Sequence, residues 1–500
     1  MLLRPQIEDF KVVGEHLGKI IIGLALAMCL PLAVGACYRE VNPLVDFVIS
    51  ILISFIVGIV LVTMCRTNRE PRWMHGMAIA SLAWIVAMLL GAIPLYLSRH
   101  WNSYLDACFE AMSGFATTGL TLAQDLDHLS YAHNFWRHLV MFIGGQGIII
   151  VALAFLVRGS AGAFKIYVGE GREEKILPNV VSTARFIWIV SVTYLGLGTI
   201  ALALVGRFEG MSWPGAFYHG ACVFMTAFDT GGFTPQSQSI LYYHSFPYEV
   251  ATIVMMLLGA VNFKVHYCLW TGNRRELWRN IETVTLFICI VATFYITGLG
   301  LRITQTYPEV IPFFRKGFYH LISGQSGTGF MTIYAQQFIN EWGALALIGI
   351  TIAMAIGGSS CSTTGAIKAI RLGTLVKGLI EDVKRIISPE AAIVSAKFHH
   401  IKTVVLDDKH VRSAAIITIA YLVLYVAGAL VGVYCGYPLL NSLFESTSAA
   451  ANVGLSCGIT QVSMPTILKV TYIFQMWIGR LEFISVFTLF GIVAALIKGK

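Results

Sequence analysis

Charge is what this 500-residue chain has least of. Only 12% of its residues are Asp, Glu, Lys or Arg, where a soluble domain carries about a quarter. With 56% hydrophobic residues and a mean hydropathy of +0.72, that scarcity excludes an ordinary water-soluble domain. It excludes disorder too, which needs high charge and low hydrophobicity. The ten cysteines run from Cys29 to Cys457 without a CxxC pair, so no secreted disulfide framework is indicated and they read as apolar packing residues. No Walker GK[ST] follows a strand: the Gly-rich run at 357–365 is followed by Lys368 in a helical context, which argues against a phosphate loop. His and acidic residues are not clustered within apolar spans, which disfavours a membrane-embedded metalloenzyme. The formal charge of +8 needs no nucleic acid, because Lys and Arg between apolar spans are what lipid topology demands.

What is present is apolar sequence in lengths that cross a bilayer, about 20 residues each. Ten such windows lie near 19–37, 44–64, 74–98, 137–157, 186–206, 247–269, 281–303, 341–361, 413–435 and 466–496. No small-residue cleavage site follows the first 19 residues, so the first helix is expected to stay. The basic segments are 158–185, with Arg158, Lys165, Arg172, Lys175 and Arg185, and 362–412, with nine basic residues from Lys368 to Arg412. Basic loops stay inside, so both termini, including Lys498 and Lys500, are expected in the cytoplasm. Each of the four later outer segments carries a second apolar run too short to cross: 104–116, 214–228, 312–325 and 438–451. A half-helix followed by a Gly-rich stretch implies a re-entrant loop, tolerated at membrane depth only where it lines a cavity or is buried in protein.

These four runs align without a gap as FEAMSGFATTGL (109–120), CVFMTAFDTGGF (222–233), YHLISGQSGTGF (319–330) and FESTSAAANVGL (444–455). Counting from the shared glycines Gly119, Gly232, Gly329 and Gly454, position −6 is a hydroxyl residue: Ser113, Thr226, Ser323 and Ser448. Position −5 is small (Gly114, Ala227, Gly324, Ala449), and Leu or Phe follows each glycine. Four Gly-centred loops suit a dehydrated cation, whose water shell is replaced by rings of backbone carbonyls. Glycine permits the positive φ that turns successive carbonyls toward one axis. The negative C-terminal ends of the half-helices would point at the ion. The expected lining is Thr117, Thr118 and Gly119; Thr230, Gly231 and Gly232; Gly327, Thr328 and Gly329; and Asn452, Val453 and Gly454.

On these motifs the chain resembles the Trk/Ktr family of potassium transporters over nearly its whole length. The runs WRHLVMFIGGQGI (136–148) and Gly259-Ala260-Val261-Asn262-Phe263 with His266 are similar to the family's first two inner helices. GGSSCSTTGAIKAIR (357–371) looks like its broken third-repeat helix, and Gly479-Arg480-Leu481-Glu482 matches a motif in the fourth. Two helices ahead of the first repeat favour the Trk branch, although Ala227-Phe228 in the second loop reads more like Ktr. The resemblance implies an all-α polytopic membrane protein: four pseudo-symmetric helix–re-entrant loop–helix repeats around one pore, plus two N-terminal helices. The expected divisions are 1–70 for those helices and 71–160, 161–280, 281–400 and 401–500 for the repeats. It also implies K+ uptake through a gated filter, with K+ as transported ion and no covalent cofactor, in a bacterial inner membrane. A homodimer and a cytoplasmic nucleotide-binding regulatory subunit, contacting 158–185 and 362–412, are implied as well. A Na+- or H+-coupled symporter is the alternative; a midplane site between inverted halves would be its usual signature.

Gly357, Gly358, Ser359, Ser360 and Gly365 are expected to form a movable loop under the filter, with Arg480 as an electrostatic gate. An unpaired arginine in mid-span costs at least about 3 kcal/mol, and its competing structural role is a pair with Glu482. Asp229 departs from the pattern of Ala116, Ser326 and Ala451; it would either concentrate cations or be a solvated carboxylate. Position −9 is Glu110, His320 and Glu445 but Val223 in the second repeat, so no ring of charge is expected there. His128, His133 and His138 are expected at the interface, and His399-His400 on a solvated face or against a partner.

Overall fold

A computed structural model of the chain describes residues 5–148, 150, 163–170, 176–177, 179–389, 392 and 394–498. Arg158, Arg172, Lys175, Lys500 and the end of the 137–157 window lie outside these. Apart from one two-stranded hairpin, the regular structure of the described chain is all helical, as a bilayer requires of any segment that must satisfy its own backbone. Helices α1 (Ile7–Ala27) and α2 (Cys29–Tyr38) run on as one 32-residue span, followed by α3 (Val41–Met64). The first span thus starts at Ile7, well before the expected residue 19. Lys11 and Lys19 pair with Glu8 and Glu15 one turn away at 2.7 and 2.6 Å, which keeps the polar first turns helical.

Four repeats of outer helix, half-helix, loop and inner helix follow. They are α4 (Trp73–Leu97), α5 (Tyr104–Phe115) and α6 (Tyr131–Gln146), then, after the short α7 (Ala163–Gly169), α8 (Val180–Phe208), α9 (Trp213–Phe228) and α10 (Phe246–Ala260) with α11 (Phe263–Trp270). The third is α12 (Ile281–Ile303), α13 (Tyr319–Gln325), α14 (Gly343–Ala355) and α15 (Ala369–Ile387). The fourth is α16 (Asp408–Tyr434), α17 (Leu439–Ala450), α18 (Thr466–Leu481) and α19 (Ile484–Lys498). Serine caps set several starts: the hydroxyls of Ser103, Ser130, Ser212 and Ser245 each accept the N–H three residues on, in the first turns of α5, α6, α9 and α10, satisfying donors that a helix leaves open.

Two expected spans are not continuous. The 247–269 window bends by 102° between α10 and α11, and the 466–496 window by 111° between α18 and α19. Among the described residues six helices are long and apolar enough to cross a membrane, or eight if each bent pair is one span; of the other two windows, 341–361 holds the 13-residue α14, and 137–157 runs past the described residues. This is a multi-pass membrane protein.

Every half-helix packs against its own repeat's inner helix or outer helix and also against the preceding repeat's inner helix. The second contact runs α6 to α9, α10 to α13, α14 to α17 and α18 back to α5, so the repeats close into a ring. Polar links cross the same seams. Lys469 on α18 meets Asp106 on α5 at 2.6 Å, and Arg315, ahead of α13, meets Glu249 on α10 at 2.7 Å. At the end where the basic loop 362–412 lies, the hairpin β1 (Lys397–His400) and β2 (Lys402–Val405) docks on the start of α12. His399 Nε2 lies 2.9 Å from Glu276 Oε2, and His400 Nδ1 3.1 Å from Asn280 Oδ1. Burial works to raise the Glu276 carboxyl, but the His399 ring and the Ile401 N–H hold it below its ordinary value. These two half-buried histidines therefore fasten the hairpin.

Candidate ion pathway

All four half-helices end in one backbone figure. The N–H at position −2 donates to the carbonyl at −5 (Thr117 to Gly114, Thr230 to Ala227, Gly327 to Gly324, Asn452 to Ala449; 3.0–3.3 Å). The N–H at −1 donates to the carbonyl at −6 (Thr118 to Ser113, Gly231 to Thr226, Thr328 to Ser323, Val453 to Ser448; 2.8–2.9 Å). This paired closure is the Schellman termination, which requires a left-handed residue at −2. Thr117, Thr230, Gly327 and Asn452 have φ of 52°, 51°, 74° and 56°. The shared glycines are left-handed again, at 94°, 77°, 83° and 96°. Alternating the sign of φ turns successive carbonyls to one side of the chain, the geometry that a carbonyl cage needs.

The turns meet one another. A β-carbon added to Gly119 would fall 2.3 Å from the Gly231 carbonyl oxygen, and one on Gly232 2.1 Å from that of Thr328. One on Gly329 would fall 2.1 Å from the Val453 oxygen, and one on Gly454 2.0 Å from that of Thr118. Each glycine therefore abuts the −1 carbonyl of the next repeat, and the fourth returns to the first. The twelve loop residues anticipated from sequence are brought together around one axis.

The side columns brace this ring. At −6, the Ser113 and Ser448 hydroxyls accept the N–H of Gly119 and Gly454 at 3.0 Å. Those of Thr226 and Ser323 donate to the carbonyls of Phe233 and Phe330 at 2.7 and 2.8 Å. Position −9 grips the return leg at +3. Glu110 Oε2 accepts from Leu122 N–H at 3.1 Å, His320 Nε2 from Thr332 N–H at 3.1 Å, and Glu445 Oε2 from Cys457 N–H at 2.9 Å. In the second repeat position +3 is Pro235, which has no N–H, and position −9 is Val223. Donor and acceptor are absent together, a pairing readable in the sequence that the reading by columns passed over. Glu110 also pairs with buried Arg137 at 2.8 Å.

Beneath the ring each inner helix breaks at one level. β-Carbons on Gly144, Gly259 and Gly479 would fall 1.8–1.9 Å from the carbonyls of Phe115, Phe228 and Ala450, all at position −4. In the third repeat position −4 is Gln325, whose amide instead donates to the Ile356 carbonyl just past α14. The 357–365 loop follows, pinned to the break in α10–α11. Ser359 N–H donates to Ala260 O at 2.9 Å, Thr363 N–H to Gly259 O at 3.3 Å, and Phe263 N–H to Cys361 O at 3.2 Å. Gly357 N–H bonds Ile367 O and Gly358 O accepts from Ala369 N–H, both at 3.0 Å. Ser360 N–H reaches the buried Glu282 carboxylate at 2.6 Å. Gly365 lies under the fourth turn, where a β-carbon would meet Ala451 O at 2.4 Å.

Arg480 completes this floor. Its guanidinium donates to Thr117 Oγ1 (3.2 Å), Thr363 O (2.5 Å), Gly144 O (2.6 Å) and Gly145 O (3.2 Å). Glu482, the structural partner considered from sequence, instead pairs with Arg371 and, at 4.0 Å, Lys368. Asp229 is not a solvated carboxylate: it is fully buried, caps α9 and accepts from Gln146 Nε2 at 2.7 Å. His133 and His138 are buried within α6, with only His128 exposed, which corrects their interfacial placement. What the sequence did not single out is the role of Thr363, inside the 357–371 run, and the bracing of position +3 by the residues at −9.

The chain matches the family model described as TrkH, cation transport protein, over residues 44–496. It is 32% identical to an uncharacterized cation transporter of Methanocaldococcus jannaschii over 97% of this chain and 96% of that one. It is 28% identical to the Trk system potassium uptake protein TrkG of Escherichia coli, covering 96% and 98%. The crystal structure of the potassium transporter TrkH from Vibrio parahaemolyticus superposes with a TM-score of 0.82, covering 96% and 98% at 24% identity, and shares its fold. These relatives are transporters rather than enzymes, and the chain belongs to the TrkH family of cation transport proteins.

Proposed function

We propose that the chain carries K+ across a bacterial inner membrane through the ring of four turns, closed from below by the 357–365 loop and Arg480. The observation that carries this reading is the cyclic abutment of each loop glycine on the next repeat's carbonyl, which builds one carbonyl-lined opening from four loops. The name of the relative at 28% identity, a potassium uptake protein, supports the choice of ion. With the interior negative, each cation gains about 2.3 kcal/mol per 100 mV, so about 150 mV holds roughly a 300-fold gradient without a coupled ion. Both termini face the cytoplasm in this reading, which puts α15 and the hairpin on the side where a nucleotide-binding regulatory subunit docks on a homodimer. The test is Rb+ and Na+ uptake into proteoliposomes under an imposed potential. Rb+ should enter faster by about tenfold, a difference of about 1.4 kcal/mol; equal entry would overturn the potassium assignment. A requirement for a proton or Na+ gradient would replace uniport with coupled entry.

A further inference from the structure

Thr363 is fully buried, and lies in the loop between the expected gating residues Ser360 and Gly365. Its hydroxyl lies 3.0 Å from Phe228 O, 2.9 Å from Gly259 O and 3.2 Å from Thr230 Oγ1. Those three oxygens are the end of the second half-helix, the break in the second inner helix and the left-handed residue of the second turn. Its own carbonyl accepts from Arg480, which also reaches Thr117 of the first turn. One residue of the third repeat thus ties the second turn to the arginine of the fourth repeat and, through it, to the first turn.

We infer that Thr363 is the positioning residue that latches the loop shut, holding it to the second turn through its hydroxyl and holding Arg480 in the pathway through its carbonyl. The inference rests on the gated-pore reading but goes beyond it, by assigning closure to a side chain that touches no ion. A hydroxyl is the group required, because the three oxygens around it are within reach of a single O–H and a valine of the same shape satisfies none. Release of the loop would uncover Cys361, which is buried two residues away.

The experiment compares Thr363→Val, Thr363→Ser and Arg480→Ala in proteoliposomes by Rb+ uptake and, separately, by the rate at which a maleimide labels Cys361, read from its peptide. Losing about 1 kcal/mol of hydrogen bonding predicts labelling and uptake raised about fivefold in Thr363→Val. Thr363→Ser should return most of the way to native, and Thr363→Val should add little to Arg480→Ala. Unchanged labelling in a monodisperse Thr363→Val protein overturns the latch, as does equal labelling in the serine and valine variants or a fully multiplicative effect with Arg480→Ala. Faster labelling with no rise in uptake supports the latch and counts against the pore reading instead.

Discussion

Replacing Arg480 by alanine should convert a closed pathway into a leaking one, and the size of the leak follows from where the guanidinium sits. It lies 3.2 Å from the hydroxyl of Thr117, a residue of the first turn. An ion in the ring just above is then about 6 Å from a full positive charge, where an effective dielectric near 20 gives a repulsion of about 3 kcal/mol. Removing that barrier allows about a hundredfold more flux, an upper limit while the 357–365 loop stays in place. Rb+ uptake into proteoliposomes reads the change directly, with monodispersity in detergent as the control for folding. Arg480→Lys separates charge from hydrogen bonding. It keeps the cation but loses the planar fork that now spans Thr363 O, Gly144 O and Gly145 O, so it should stay within a few-fold of native. If Arg480→Ala conducts no more than the native chain, repulsion is not what closes the pathway. If Arg480→Lys leaks as much as Arg480→Ala, the bridging bonds and not the charge close it.

Gly329→Ser should abolish discrimination between Rb+ and Na+. The added β-carbon would sit 2.1 Å from Val453 O at a φ of 83°, and Gly119→Ser, Gly232→Ser and Gly454→Ser should behave alike because their overlaps are 2.0–2.3 Å; a variant that keeps the native uptake ratio would refute the ring. Glu445→Gln should lower the melting temperature of the solubilised protein. One of the two oxygens that receive Ser456, Cys457 and Thr460 becomes a donor facing donors, at a cost of about 1–3 kcal/mol per unsatisfied group. An unshifted melting curve would remove the bracing role.

The repeat was legible in the sequence because its columns are backbone requirements written in residue types. A hydroxyl at −6, a small residue at −5 and glycine at the second positive φ each recur as letters. The left-handed residue at −2 was less legible, since three of its four occupants are Thr117, Thr230 and Asn452 rather than glycine, held there by the closure of the helix end. The breaks in the second and fourth inner helices escaped the hydropathy windows because apolar composition resumes past Ala260 and past the charged pair Arg480 and Glu482. One break had a signal, in that Asn262 caps α11 through its side chain. The other is marked only by the charges of Arg480 and Glu482; there Glu482 and Phe483 take φ of 54° and 73°, with Glu482 tied to Arg371 in another repeat. The true start of the first span was hidden by its charges, which pair along the helix instead of ending it.

Fourfold likeness holds at the ring and ends just below it, and the physics of a shared axis accounts for that boundary. A cage must be built from every side, so each repeat keeps the same turn. A block on the axis needs one group only. Following the inner-helix glycine, the first, second and fourth repeats have Gly145, Ala260 and Arg480; four guanidiniums converging at that level would repel one another by several kcal/mol at the same dielectric, whereas one is accommodated by carbonyls of the first and third repeats. The third repeat likewise supplies the only inserted loop among the described inner helices, and its Thr363 and Gly365 reach the second and fourth turns. In the proposed pore, selectivity is therefore assigned to what the repeats share, and closure to the single places where they differ. A substitution in the ring should then change which ion passes, and one in the floor should change how much.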